Sequence, residues 1–253
     1  MKAEAYLDST WWLCRTELLL GEARLAKLAA AHVLIVGLGG VGAYAAEAIC
    51  RAGVGYMTII DGDTVEPTNL NRQLPGLTST LGMPKADVVG KRLMDINPCL
   101  KLDARTVFVR DAVTDALLDA APYDYVVDAI DSLSPKVHLV AGCIERRIPV
   151  VSAMGAGGKV DPTKVEVADI SGSYNCKLAR AMRKRLHRRG IREGVKVVFS
   201  AEAIPDEAVL AYASPDSGMT RSMVGTISYM PAIFGLCCAS VVLRDLIEEP
   251  VSQ

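Results

Sequence analysis

VLIVGLGGVGAYAAEAICRAGVGYMTIIDGDTVEPTNLNR, residues 33–72, decides the fold. It opens on an unbroken apolar run, Val33 to Val36, the pattern of a strand buried on both faces of a parallel sheet. Gly37, Gly39, Gly40 and Gly42 follow at once. A small-residue helix comes next, with Ala43, Ala45, Ala46 and Ile49 for its sheet-facing side and Gly53 as its stop. Tyr56 to Ile60 reads as a second buried strand, with Asp61 at its carboxyl end. The chain must turn sharply off the first strand and bring backbone N–H groups close to a phosphate, which a Cβ would obstruct. The helix that follows turns its positive dipole end toward the same anion. Asp61 stands about 20 residues on, where an acid accepts hydrogen bonds from ribose hydroxyls. Together these features predict a nucleotide site.

Outward from this segment, hydrophobic periodicity alternates between strands and helices. Residues 7–30 read as helical, with Leu18, Leu19, Leu25 and Leu28 as apolar positions. Pro84 leads an amphipathic helix through Lys85, Val89 and Leu93 that ends at Asn97-Pro98. Strands are expected at 102–109, 124–129 and 148–152, and helices at 112–118 and 136–147. This ordering predicts an α/β fold, a Rossmann-like, mostly parallel sheet with flanking helices. After residue 153 the pattern loosens: strands are expected at 164–169 and 195–199, a long Pro-, Asp-, Ser- and Gly-rich loop at 204–224, and an apolar core or interface helix at 229–247. The expected organisation is a single domain over 1–253. Residues 1–153 form its nucleotide-binding half and 154–253 its substrate-binding and dimerisation half.

The 253 residues carry a net charge of −1, which overall predicts no polyanion partner. The distribution says otherwise. CKLARAMRKRLHRRGIR, residues 176–192, sets a narrow stripe of Leu178, Met182 and Leu186 within a basic helix. Lys177, Arg180, Arg183, Lys184 and Arg188 are its candidate contacts to a nucleic-acid backbone, the usual role for positive charge concentrated on one helix. No apolar run is read as long enough to span a membrane, and Glu4 and Asp8 ahead of Trp11 and Trp12 fit no signal peptide. The expected compartment is the cytoplasm. None of the seven cysteines forms a C-x-x-C pair, so no structural zinc is expected. Cys50, Cys143, Cys237 and Cys238 read as small core residues, and Cys176 as the candidate exposed thiol.

Two nucleotides suit the glycine segment. NAD would need little beyond Asp61. Here the following loop adds Asn69 and Arg72, the next helix brings Lys85, and Asp131 ends a neighbouring strand. Two cations and an acid suit a triphosphate with Mg²⁺, the acid holding the metal. The NAD reading leaves Arg72 and Lys85 idle, so ATP is favoured.

RTELLLG at 15–21, VGLGGVG at 36–42, IDGDTVEPTNLNRQ at 60–73, GMPKA at 82–86 and VVDAIDS at 126–132 occur in this order. The set resembles the ubiquitin-activating-like adenylating enzymes. The second half, with SAMGAGGKVDPTKVEVADIS at 152–171, VFSAEA at 198–203 and GTISYMPAIFGLCCASVVLRDL at 225–246, resembles the branch that dehydrates threonylcarbamoyladenosine in tRNA. The resemblance implies an ATP-dependent adenylating enzyme with the family's adenylation fold. It implies nucleotide contacts from Gly37, Gly39, Gly40, Gly42, Asp61, Asp63, Asn69, Arg72, Lys85, Asp131 and Ser132, and catalytic roles for Arg15, Arg72, Lys85 and Asp131. Arg15 corresponds to an arginine that reaches the phosphates of the partner subunit, which implies a homodimer. Asp131 would hold Mg²⁺. A monovalent cation, K⁺ or Na⁺, and a sulfurtransferase-type partner protein also come with the resemblance. The implied reaction activates the threonyl carboxylate of the modified adenosine; the adjacent ureido group then closes a ring and AMP leaves. The rival within the family is adenylation of the C-terminal glycine of a ubiquitin-like sulfur carrier, normally by enzymes with zinc-binding C-x-x-C pairs. Outside the family, an idle RNA-binding relative and an NAD-dependent oxidoreductase remain open.

Overall fold

The computed structural model describes residues 10–213 and 220–248. Strands β1 (His32–Val36), β2 (Tyr56–Ile60), β3 (Lys101–Arg105), β4 (Tyr125–Asp128), β5 (Val150–Ala153), β6 (Val165–Asp169) and β7 (Lys196–Ser200) form one sheet in the order β3-β2-β1-β4-β5-β7-β6. Every pairing is parallel except that of β6 with β7. The order reverses at β1, which has β2 on one side and β4 on the other. Register brings Val36 level with Ile60 and with Asp128, and Asp128 level with Ser152. The loops leaving β1, β2, β4 and β5 therefore emerge at one edge, around the switch point where open α/β sheets hold ligands.

Both faces of the sheet are covered, which explains strands without polar alternation. Val33, Ile35, Met57, Ile59, Val127 and Val151 pack toward α3 (Gly42–Arg51), α4 (Lys85–Ile96) and α8 (Tyr229–Ile247). Leu34, Val36, Ile60, Val126 and Val150 pack toward α5 (Ala112–Leu118), α6 (Leu133–Glu145) and α7 (Lys177–His187). The alternation predicted for the first 150 residues is present, with shorter strands: β3 ends at Arg105 because it is an exposed edge strand and the chain leaves the sheet there. Helix α6 starts three residues earlier than expected, with Pro135 in its first turn, where the missing N–H has no helical partner to lose.

Three expectations are corrected. Residues 7–9 lie outside the described residues, and the rest of the first helix is broken at Gly21, whose φ of 84° ends α1 (Cys14–Leu20) before α2 (Glu22–Ala30). Leu25 and Leu28 of α2 are buried as expected, but Leu18 and Leu19 are 89% and 81% exposed. The segment at 204–224 is not simply a loop. It contains an antiparallel ribbon of β8 (Val209–Ala213) and β9 (Thr220–Val224), because its Pro, Ser and Gly letters cluster at 214–219, outside the described residues. Third, α8 does reach spanning length, with a mean hydropathy of 1.7, the one such helix among the described residues. Its Met230, Phe234, Cys238 and Val242 are fully buried against the sheet and α3, so its apolar character is that of a core helix.

Candidate active site

The glycine turn is held to its shape by contacts too close for side chains. At Gly37, φ is +92°, and a Cβ would stand 2.7 Å from the carbonyl oxygen of Ala129. At Gly42, a Cβ would stand 1.7 Å from the Gly37 oxygen. The turn thus curls against the start of α3 on one side and against the 129–131 loop on the other. The position of Gly39 faces the 68–73 loop, and that of Gly40 faces the same loop and Pro231 of α8, whose Cβ is 2.9 Å from a Cβ built on Gly40. The Gln73 side chain lies 3.7 Å from a Cβ built on Gly39, and the Arg72 carbonyl 3.5 Å from one built on Gly40.

Asp61 closes the turn from β2. Its Oδ2 accepts the Leu38 N–H at 2.6 Å and its Oδ1 the Asp63 N–H at 2.8 Å. Burial pushes this carboxyl above its ordinary range, against the opposing pull of the two N–H donors and of the nearby Lys85 ammonium. Lys85, the first residue of α4, is buried, and its Nζ stands 3.2 Å from Asp63 Oδ2. A hollow of about 270 Å³ lined by Ile60, Arg105, Val107, Val113, Ala116 and Leu117 opens at the same end of β2.

The polar loop after Asp63 folds over the turn. Buried Asn69 braces it, its Oδ1 accepting the Glu66 N–H at 3.2 Å. The Arg72 Nη1 donates to the Thr68 carbonyl and to Asn71 Oδ1, both at 2.8 Å. Asn71 Nδ2 donates to the Thr226 carbonyl at 3.0 Å, which ties this loop to the lead-in of α8. Asp131 leaves β4 on the adjacent loop. Its carboxylate is exposed and accepts the Ser132 hydroxyl at 3.1 Å. The glycine turn therefore has Asp61, and through it Asp63 and Lys85, together with the backbone of Arg72, the Gln73 side chain and the 129–131 loop as its neighbours, while the Arg72 guanidinium is bonded within its own loop. Arg15 is not among them. Leu13 packs on Gly53, just beyond the far end of α3 from the glycine turn, and Arg15, two residues on, is exposed.

On α7, Lys177, Arg180, Lys184 and Arg188 are exposed, and Met182 and Leu186 are buried as the stripe predicts. Arg183 is turned inward: its Nη1 donates to the carbonyls of Ile170 at 3.1 Å and Ser173 at 2.7 Å. Cys176 corrects the expectation of an exposed thiol. It is buried at the start of α7, where its Sγ accepts the Ala179 N–H. Burial raises the thiols of Cys50 and Cys143 to about 12, and those of Cys237 and Cys238 shift upward for the same reason, as befits core residues.

Two buried polar groups went unread in the sequence. Lys136 and Asp128 form a fully buried ion pair at 2.8 Å. Lys159, also buried, donates to the carbonyls of Ser200 and Glu202. A lysine amid the apolar residues of α6 was the one visible sign.

The ThiF family profile matches residues 13–252. The chain is 38% identical to the tRNA threonylcarbamoyladenosine dehydratase of Bacillus subtilis over 240 residues, 93% of this chain and 94% of the relative. It is 38% identical to the enzyme of that name from Escherichia coli over 257 residues, 94% of each. The crystal structure of the E. coli tRNA N6-threonylcarbamoyladenosine dehydratase in complex with ATP matches this fold with a TM-score of 0.82 and 36% identity. That match covers 94% of this chain and 96% of the other.

Proposed function

Because this chain belongs to the ThiF family, we propose that it is an ATP-dependent dehydratase acting on threonylcarbamoyladenosine in tRNA. The threonyl carboxylate attacks the α-phosphate of ATP, and pyrophosphate leaves with the bonding electrons. In the acyl-adenylate so formed, the ureido group attacks the carbonyl carbon, loses its proton, and AMP departs. The sum is a ring and the loss of one water. A carboxylic acid is already ionised at pH 7, so the first step needs no general base. Ring closure is intramolecular and needs no enzyme nucleophile.

The enzyme's share is electrostatic and positional. Backbone N–H groups of the glycine turn and the start of α3 receive phosphates. Asp61 accepts the ribose hydroxyls, and the hollow beside it, apolar but for Arg105, suits a purine ring. Lys85 and Arg72 offset charge on the phosphates. Asp131, exposed and bonded to one hydroxyl, retains lone pairs for Mg²⁺, which when bound would neutralise the pyrophosphate. Lys177, Arg180, Lys184 and Arg188 follow tRNA phosphates, and Arg183 holds the helix in place behind them.

Arg15 completes the site of the partner subunit in a homodimer. The exposure of Arg15 and of Leu18 and Leu19 beside it supports that reading. The chain works as one domain, its nucleotide half sharing a core with α8. A monovalent cation, a sulfurtransferase-type partner and cytoplasmic residence rest on the family resemblance alone.

The observation that carries the function is the convergence of Lys85, the 68–73 loop and the Asp131 loop on the glycine turn, in a chain similar to tRNA dehydratases over nearly its whole length. Nucleoside mass spectrometry of threonylcarbamoyladenosine-bearing tRNA, incubated with protein and ATP, tests it. The modified nucleoside should lose the mass of one water. Unchanged nucleoside, with pyrophosphate released on adding a ubiquitin-like carrier, would overturn this reading in favour of carrier activation.

A further inference from the structure

We propose that Lys136, Asp128 and Ser152 form a buried anchor that positions Asp131, an inference that rests on the reading of Asp131 as a nucleotide-site residue. The strand register sets Ser152 of β5 level with Asp128, the last residue of β4. The Ser152 hydroxyl donates to Asp128 Oδ2 at 2.6 Å, and Lys136 Nζ donates to the same oxygen at 2.8 Å. Besides a contact from the Ser152 hydroxyl to Met182 Sδ at 3.9 Å, two further bonds of this cluster go to one residue. Asp128 Oδ1 accepts the Ile130 N–H at 3.1 Å, and Lys136 Nζ donates to the Ile130 carbonyl at 2.8 Å. The peptide groups on either side of Ile130 are thus gripped by one ion pair, one residue before Asp131.

All three side chains of the anchor have no exposed surface. A buried ion pair is weak as a source of stability, since well-packed apolar side chains of similar volume commonly serve as well or better. Its use here is geometric. The carboxylate of Asp131 is exposed, so its own contacts do little to hold it. Its place is set by the backbone, and the backbone is set by Asp128 and Lys136. The same loop presses on Gly37, so movement at Ala129 or Ile130 would also disturb the glycine turn. Lys136 and Asp128 are therefore positioning residues that act through Asp131. Outer-shell partners of this kind are typically worth about 10- to 100-fold in metal affinity or activity.

The test compares Lys136→Met, the double variant Asp128→Asn/Lys136→Met, and Asp131→Asn as the reference. Four quantities are read: melting temperature, amide hydrogen exchange of residues 129–134 in the nucleotide-free protein, kcat for tRNA-dependent pyrophosphate release, and the Mg²⁺ concentration for half-maximal rate. Lys136→Met should speed exchange in 129–134, lower kcat about 10- to 100-fold and raise the Mg²⁺ requirement, with KM for tRNA unchanged. The double variant removes the unpaired buried charge, so it should recover the melting temperature while keeping the exchange and kcat defects. If Lys136→Met alone fails to fold, the double variant carries the test. Recovery of kcat along with melting temperature, or unaltered exchange, would overturn the anchor. Full activity and an ordinary Mg²⁺ requirement in Asp131→Asn would instead overturn the reading of Asp131, and the exchange data would still decide whether the loop is anchored.

Discussion

Asp61 accepts the backbone N–H of Leu38 at 2.6 Å, so the acid at the end of β2 is bonded to the glycine turn at the end of β1. One oxygen of that carboxylate shapes the turn and the other caps Asp63. Binding a ribose there draws on a group already oriented by these two bonds. Asp61→Asn, which loses charge and one acceptor, should weaken ATP binding about 10- to 100-fold, the worth of hydrogen bonds to a charged acceptor. Calorimetric titration with ATP checks this.

The pH dependence of that same carboxyl has a definite sign. Burial raises it in the folded protein, so between its ordinary value of 3.8 and the raised value the folded state holds a proton that the unfolded state has released. Across that window, stability falls as pH rises, and the cost is complete above the raised value. ATP affinity should run the other way, weakening as pH drops through the raised value, because the protonated acid is a poorer acceptor. Titrations over a pH series should show this limb in the wild type and its absence in Asp61→Asn.

Gly39 and Gly42 should separate binding from folding. A Cβ at Gly42 would meet the Gly37 carbonyl oxygen at 1.7 Å, and backbone cannot yield as a side chain does. Gly42→Ala should destabilise by about 3 kcal/mol or more. At Gly39 the nearest obstacle is the Gln73 side chain at 3.7 Å. Gly39→Ala should melt near wild type and yet lose ATP affinity, since the added methyl puts bulk on a turn whose backbone N–H groups must approach the phosphates. Thermal melts with and without ATP distinguish the two.

The basic helix offers a comparison of arginines. Reversing Arg180, Lys184 and Arg188 to glutamate should weaken tRNA binding and flatten the slope of log affinity against log salt by roughly 2 to 3, with ATP affinity intact. Arg183→Ala should leave that slope alone and lower the melting temperature, by about 1–3 kcal/mol of lost stability, because the Ser173 carbonyl loses the Arg183 donor while the Ile170 carbonyl keeps only its bonds from Ser173. Salt-dependent tRNA binding and melting curves on the two variants check both.

Arg15 supports a complementation test. Arg15→Ala and Asp131→Ala chains should each be nearly inactive alone. Mixed, they should regain up to about a quarter of wild-type activity if half the dimers are mixed and each has one intact site. No recovery at any mixing ratio would count against a role across the dimer.

The segment 33–72 was legible because its evidence is local: a buried strand, glycines that only a tight turn explains, a helix and an acid within one βαβ unit. The same holds for α5 and α8, whose observed bounds match the apolar pattern. What escaped reading depends on contacts between distant positions. Lys136 meets Asp128 because α6 doubles back over β4, and Ser152 joins them because β5 pairs beside it; none of this shows in spacing. Leu18 and Leu19 have the periodicity of core residues, and periodicity cannot say whether the partner surface belongs to the same chain. Cys176 looked exposed among basic neighbours, yet it sits on the buried side at the start of α7.

Helix α8 is the last element described, yet its Pro231 stands against Gly40 and its Phe234 fills the core beneath α3. On the ribosome, the glycine turn is made long before the residues that roof it. Until Tyr229–Ile247 emerges, the part of the sheet and of α3 that it covers stays greasy and open, and the helix itself is hydrophobic enough to be mistaken for a membrane segment. Chaperone demand during synthesis should therefore peak late, and a stop codon shortly before residue 229 should send the nascent protein to degradation rather than leave a working ATP-binding fragment.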